Sequence, residues 1–250
     1  MKQNKFNPKE VKPYNNCENK TGQLIRMFDH ISGQYDKFNQ LMSLGCAKNW
    51  RKRALKSLQP YQPKIILDVA TGTADMCIKA FQYLHPEKVV GVDISEKMLE
   101  IGRQKIKKAN LTNKIDLFQQ DCSQLFFENE TFDTVTIAFG IRNFERLDES
   151  LKEIHRVLKT QKYLLILELN EPQRRWVKKL YQFYIRWYVN KGLQYLSNDK
   201  EAYQYLATSM EAFPSGKNLI EIVIHYGFKL LKYKKFTFGV CSLYLFQKEE

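Results

Sequence analysis

The sequence predicts an α/β fold in which a mostly parallel sheet carries helices on both faces. Three observations support this. Short apolar runs alternate with helical patterns from residue 64 to residue 170, the mark of repeated βαβ units. The first run, Ile65, Ile66, Leu67 and Val69, turns through Thr71-Gly72-Thr73 into a helix. The second, Val89 to Val92, ends on Asp93. A glycine-containing first turn followed about 20 residues later by a carboxylate is an arrangement that binds an adenosine-containing cofactor. Gly72 allows the backbone to approach a ligand closely, and Asp93 can accept hydrogen bonds from both ribose hydroxyls.

The elements follow in order. Residues 1–20 are polar and read as a disordered lead-in with no hydrophobic signal region, and residues 21–250 read as one domain. Residues 21–60 are helical, with Leu24, Met27, Phe28 and Ile31, then Phe38, Leu41 and Met42, at helical spacing. In the core, 61–170, strands are expected at Lys64–Val69, Lys88–Val92, Ile115–Gln119, Thr134–Phe139 and Tyr163–Leu169. Helices are expected at Ala74–Leu84, Glu96–Asn110 and Leu147–Leu158. Residues 171–214 change to long helical stretches rich in aromatics, an insertion placed to cover the carboxyl ends of the strands. A helix (Gly216–His225) and two strands (Phe228–Lys234, Gly239–Phe246) fill 215–250 and bring the sheet to seven strands.

Composition narrows the function. No run of 18 apolar residues appears, so no transmembrane helix is expected. Five scattered cysteines without CxxC spacing point to reduced thiols in a cytosolic setting, and four distant histidines give no metal-ligand pattern. The net charge of +13 is uneven: residues 1–60 hold 12 Lys and Arg against 4 Asp and Glu, residues 61–170 hold 15 against 16, and residues 171–250 hold 13 against 7. A neutral core with basic flanks suits contact with an anionic surface.

The choice of cofactor follows from what the turn lacks. A dinucleotide fingerprint uses three glycines to seat a pyrophosphate on a helix N-terminus. Here there is one, followed by Ala74 and Asp75. An acid at that helix start repels pyrophosphate and suits a cation. S-adenosyl-L-methionine has a sulfonium, an ammonium and no phosphate, so Asp68 and Asp75 are compatible with it, and a methyltransferase is favoured over a dehydrogenase.

Four ordered motifs extend this reading. They are Met27–Gly45 (MFDHISGQYDKFNQLMSLG) with Trp50-Arg51, Thr131–Phe144 (TFDTVTIAFGIRNF), Ala202–Gly216 (AYQYLATSMEAFPSG) and Phe236–Lys248 (FTFGVCSLYLFQK). With them the chain resembles the quinone-ring C-methyltransferases of menaquinone and ubiquinone biosynthesis. The resemblance implies a class I methyltransferase (Rossmann-like) fold, S-adenosyl-L-methionine as cofactor and a polyprenyl quinol as substrate. It departs from the family pattern at Ala74, in place of a second glycine, a change tolerated if φ stays negative. It also departs at Ala138 in place of serine, at Ala207 in place of proline, and at Thr160-Gln161 in place of a Pro-Gly turn.

By the same resemblance Thr71 and Gly72 line the cofactor, Asp93 holds its ribose, and Asp121 accepts from the adenine amino group with the Cys122 backbone beside the ring. The alternative for Asp121 is a helix N-cap. Methylating a quinol carbon requires a phenolate, and an ordinary phenol has a pKa of about 10. Arg142 is the cation expected to stabilise it, Asn143 would orient a hydroxyl or water, and Tyr35 could relay a proton. In the insertion, Trp176, Leu180, Tyr184 and Trp187 form an apolar stripe among Arg174, Arg175, Lys178, Lys179 and Arg186, the composition of a helix in transient contact with a membrane surface. Core packing or a homodimer contact is the alternative. Nucleic acid is not expected as a partner, because the Asn/Asp-Pro-Pro-aromatic motif of amino-methylating enzymes is replaced here by Ala138-Phe139-Gly140-Ile141-Arg142-Asn143.

Overall fold

The computed structural model describes residues 10–14, 17–43, 45–172, 174–184 and 200–250. Seven strands form one sheet in the order β3-β2-β1-β4-β5-β7-β6. β1 (Ile65–Val69), β2 (Lys88–Asp93), β3 (Ile115–Gln119), β4 (Phe132–Ala138) and β5 (Leu158–Leu169) run parallel. β6 (Phe228–Phe236) and β7 (Cys241–Lys248) complete the sheet, with β7 antiparallel to both of its neighbours. The chain crosses from β1 outward to β3 and then returns to place β4 on the other side of β1. Their carboxyl ends therefore face a topological switch point, where open α/β sheets bind ligands.

β5 begins at Leu158, five residues before the expected start. The cause lies opposite, in β4: Phe132 pairs with Leu158 but Thr134 pairs with Tyr163, so β5 absorbs the intervening residues as an irregularity. Gln161 there has φ 62°, a left-handed turn made without the glycine usual at such a position.

Helices cover both faces. α1 (Lys20–Ile31), α2 (Tyr35–Met42), α3 (Ala47–Lys56), α4 (Asp75–Leu84) and α5 (Glu96–Lys108) contribute to one apolar layer. α6 (Leu147–Val157) packs on the other through Leu147, Leu151, Ile154 and Val157, one stripe at helical spacing. Ser95 caps α5 by accepting from the Met98 N–H at 3.2 Å. Before α1, Val11 packs against the core, and the Tyr14 N–H donates to Gln23 Oε1 at 2.8 Å. The insertion supplies α7 (Arg175–Tyr184) and α8 (Lys200–Ala212), and α9 (Lys217–His225) leads into β6. Among the described residues no helix is long and apolar enough to cross a membrane.

Asp68, within β1, fastens the end of the sheet. Its carboxylate accepts from Thr136 Oγ1 on β4 and Thr71 Oγ1 in the first turn, each at 2.6 Å, with Cys77 Sγ of α4 at 3.5 Å. The sequence suggested Asp68 as an acid facing a cationic ligand. It is instead fully enclosed by these groups, and burial pushes its carboxyl up to about 6. Because the folded form binds this proton more tightly than the unfolded form, Asp68 favours the fold below about pH 4 and loses that contribution as pH rises through 6. Relative to Asp68→Asn, the native chain should therefore lose stability between about pH 4 and pH 7, read from denaturation midpoints of the pair across that range.

Candidate active site

A cleft of about 690 Å³, counting its open mouth, lies at the carboxyl ends of β1, β2 and β4. Its floor is the turn after β1. Gly72, at φ 55°, presents its N–H to Asp93 Oδ2 at 2.8 Å, while the Ser95 N–H donates to Oδ1 at 3.0 Å. Both oxygens of Asp93 are thus oriented, and the carboxylate keeps acceptor capacity for a ligand hydroxyl. Burial raises its pKa, and the backbone N–H groups of Ser95, Gly72 and Ile94 draw it back.

Asp121 also borders the cleft. Its Oδ1 accepts from the Ser123 N–H at 2.8 Å, closing a turn with no helix after it, which leaves Oδ2 for a ligand. Cys122 lies beside it with Sγ 3.3 Å from Ser150 Oγ, and burial pushes the thiol up to about 12, so it supplies shape and no thiolate. α1 forms a roof through Leu24 and Phe28, and Tyr35 of α2 places its ring edge against Gly72 and packs edge-on to Phe28 at 5.8 Å.

Two expectations need correction, and a third gains detail. The Thr71 hydroxyl turns inward to Asp68, so its side chain shapes the turn, while its backbone stands between the cleft residues Ala70 and Gly72. Ala74 has φ 61°, the left-handed conformation that the missing glycine would have taken freely, where an L-residue carries strain of roughly 1–2 kcal/mol. Asp75 is already paired, with Lys105 at 2.8 Å and Arg51 at 3.8 Å, and is not a free anion for a cationic ligand.

The turn after β4 carries Arg142 and Asn143 in a short 3₁₀ segment, Ile141–Asn143. Gly140 permits its close approach to the first turn, because a Cβ there would stand 2.5 Å from Ala70 Cβ. Asn143 lines the cleft and accepts from Tyr205 Oη at 3.0 Å. Arg142 is not the lone cation that the sequence suggested. Its Nη1 donates to Glu168 Oε1 at 2.7 Å and to the Phe139 carbonyl, so a buried counter-ion at the end of β5 balances its charge. Burial pushes the Glu168 carboxyl up and Arg142 draws it back. Tyr35 senses both Arg142 and Asp93, and burial raises its phenol. That raised phenol makes Tyr35 a better hydrogen-bond donor than a base.

Sequence reasoning missed Glu168, Tyr205 and the roof's fastening. Thr21 donates through N and Oγ1 to Glu145 Oε2, at 2.7 and 2.6 Å, and Lys20 Nζ reaches the Arg142 carbonyl at 3.5 Å. Lys20 is fully buried, which lowers its pKa to about 8. Glu168 did leave a signal: it is the one acid within the apolar run Leu164–Leu169, and an ionisable group in a buried strand requires a partner.

The chain is similar to known proteins over most of its length. A demethylmenaquinone methyltransferase from Bacteroides fragilis is 43% identical over 235 residues, covering 94% of this chain and 96% of that protein. A ubiquinone/menaquinone biosynthesis C-methyltransferase from Geotalea uraniireducens is 38% identical, covering 89% and 94%. The crystal structure of a SAM-dependent methyltransferase from Thermotoga maritima superposes with a TM-score of 0.62 at 17% identity, over 91% of this chain and all of that one, and shares the fold. The model of the ubiE/COQ5 methyltransferase family matches residues 16–248, and the chain belongs to that family.

Proposed function

We propose that the protein transfers a methyl group from S-adenosyl-L-methionine to a ring carbon of a polyprenyl quinol, with demethylmenaquinol as the acceptor. The cleft lining carries the cofactor part of this reading. Its charged residues are the acids Asp93, Asp121 and Glu145, with no Lys or Arg among the described lining residues. Such a surface repels phosphates and suits a nucleoside bearing sulfonium and ammonium charges. Asp93 would hold the ribose and Asp121 the adenine amino group.

The bound cofactor supplies an electrophilic methyl on sulfur. The chain's own residues have to place the acceptor carbon in line with it and stabilise the phenolate that makes the carbon nucleophilic. Asn143, held by Tyr205 and open to the cleft, is placed to orient the acceptor hydroxyl. Arg142, balanced by Glu168, would act through directed N–H donors and not through net charge. After transfer, loss of the ring proton restores aromaticity.

The relatives support the acceptor class. The Bacteroides protein is named for demethylmenaquinone and the Geotalea protein for both quinones, which keeps a methoxybenzoquinol as the second reading. A methyl-transfer assay offering naphthoquinol and methoxybenzoquinol acceptors side by side decides. Faster methylation of the naphthoquinol is expected, and methylation of neither would overturn the proposal. For the cofactor site, Asp93→Ala should weaken S-adenosyl-L-methionine binding by about 2–4 kcal/mol in calorimetry, and an unchanged dissociation constant would remove Asp93 from the site.

A polyprenyl acceptor is taken from a bilayer, and the insertion has a surface suited to that. Trp176, Leu180 and Phe183 stand 54–65% exposed along α7, and Phe238, 66% exposed, packs 5.7 Å from Trp176. Phe183 takes the place expected for Tyr184, whose hydroxyl turns inward to the Leu41 carbonyl at 2.6 Å; Arg186 and Trp187 lie outside the described residues. Arg174, Arg175 and Lys179 flank this face. Near an anionic surface each basic side chain contributes about 1 kcal/mol, screened beyond roughly 8 Å at physiological salt. Reversing these three to Glu should reduce cosedimentation with anionic vesicles. It should also lower turnover of long-tailed quinols more than of short soluble analogues, whereas equal losses would assign the charges to helix stability.

A further inference from the structure

Four buried polar atoms near the active-site turn have no hydrogen-bond partner among the described residues: Arg51 Nε, Arg142 Nε, Asn170 Oδ1 and Tyr181 Oη. They come from α3, the turn after β4, the end of β5 and α7, four separate elements, so they do not arise from one local distortion. Phe139 links the first two. Arg142 donates to its carbonyl, and the Arg51 guanidinium lies 5.0 Å from its ring centre. Asn170 is fixed from behind, its N–H on the Val240 carbonyl at 2.9 Å and its Nδ2 on Ser242 Oγ at 2.6 Å, leaving Oδ1 unused. The Tyr181 hydroxyl lies in the field of Arg142 and of Cys241, the residue after Val240. Phe139 and Asn143 line the cofactor cleft and Arg142 stands between them in the chain, so the group adjoins the cleft wall through Arg142, and Tyr181 of the insertion packs on the apolar layer that contains Phe139.

Each buried polar atom without a partner costs about 1–3 kcal/mol, and such atoms are retained where a ligand satisfies them. The set contains two N–H donors, one carbonyl acceptor and one hydroxyl that can do either. A quinol presents the complement, since each ring hydroxyl donates one hydrogen bond and accepts others. When the hydroxyl ionises, the arginine Nε–H groups remain as donors to the oxygen.

We infer that Tyr181 and Asn170, with the Nε–H groups of Arg51 and Arg142, bind the hydroxyl oxygens of the quinol head group, with Tyr181 delivered by the insertion. This rests on the quinol reading above and assigns the residues that would recognise the acceptor. The insertion would then serve the acceptor twice, through its exposed face toward the tail and through its buried face toward the ring.

Tyr181→Phe separates this role from a structural one, because it removes a hydroxyl that bonds nothing among the described residues. The melting temperature should stay level or rise, and the dissociation constant for S-adenosyl-L-methionine should not change. KM for a short-tailed demethylmenaquinol should increase about 3- to 10-fold, the loss of one hydrogen bond. Tyr184→Phe, one turn along the same helix, removes a hydroxyl already bonded to a backbone carbonyl and should show the opposite pattern, a lower melting temperature with a smaller change in KM. An unchanged KM in Tyr181→Phe, or a fall in its melting temperature, would overturn the inference while native activity on the quinol left the function standing. If the native protein methylates no quinol, the function fails and this inference falls with it.

Discussion

The ion pair between Arg142 and Glu168 is the constraint on which the acceptor side of this molecule depends. Two charges taken fully out of water cost several kcal/mol each, and their attraction repays that only when the remaining polar atoms are also satisfied. Much of that satisfaction comes from backbone: the Phe139 carbonyl accepts from Arg142, and the Leu169 N–H donates to Glu168 at 2.8 Å. The pair thereby fixes the turn after β4 against the end of β5. Asn143, the next residue, is turned toward the cleft and steadied by Tyr205. The geometry that would orient the acceptor is thus set by groups that do not themselves line the cofactor site.

A second buried carboxylate has the corresponding role on the cofactor side. Asp68 joins β1, β4 and the first turn, and Gly72 and Asp93 then meet across that turn. Of the two neighbouring acids in the motif region, Asp68 is enclosed within the fold and Asp93 lines the cleft. Sequence alone shows both as acids in or at the end of an apolar strand. The difference is which side of the strand end each occupies, and that depends on Thr136, 68 residues away.

The sheet was largely legible because its strands are short apolar runs separated by turn signals, and β1, β2 and β3 fall within a residue of their expected bounds. β5 was not, since its early start comes from a pairing irregularity opposite β4 that leaves no local mark. That Gly72, Asp93 and Asp121 would meet at one cleft was readable because the βαβ order places strand ends together. Thr71 was read as lining the cofactor by resemblance and Arg142 as a cation by its residue type, and neither reading could foresee that the Thr71 hydroxyl bonds the buried Asp68 or that Arg142 pairs with Glu168, 26 residues on. The apolar stripe of α7 was right in kind and wrong by one position: Phe183 is exposed where Tyr184 was expected, because the tyrosine hydroxyl finds a carbonyl inside.

The roof over the cleft has a kinetic consequence. α1 is tied down by two bonds from Thr21 to Glu145 and by Ser95 Oγ to Asp29 Oδ1. At about 0.5–1.5 kcal/mol each, these three bonds add to the burial of Leu24, Met27, Phe28 and Ile31 in the core, so a lifted roof is populated well below the per-cent level. A nucleoside entering beneath it would be gated by that fraction, and the spent nucleoside would wait for the same event to depart. Since the bonds re-form over a bound ligand, the gate slows arrival and departure alike and cancels from their ratio. On the proposed function, the fastening of α1 would thus set how long the cofactor stays, and Asp93 and Asp121 how tightly it is held.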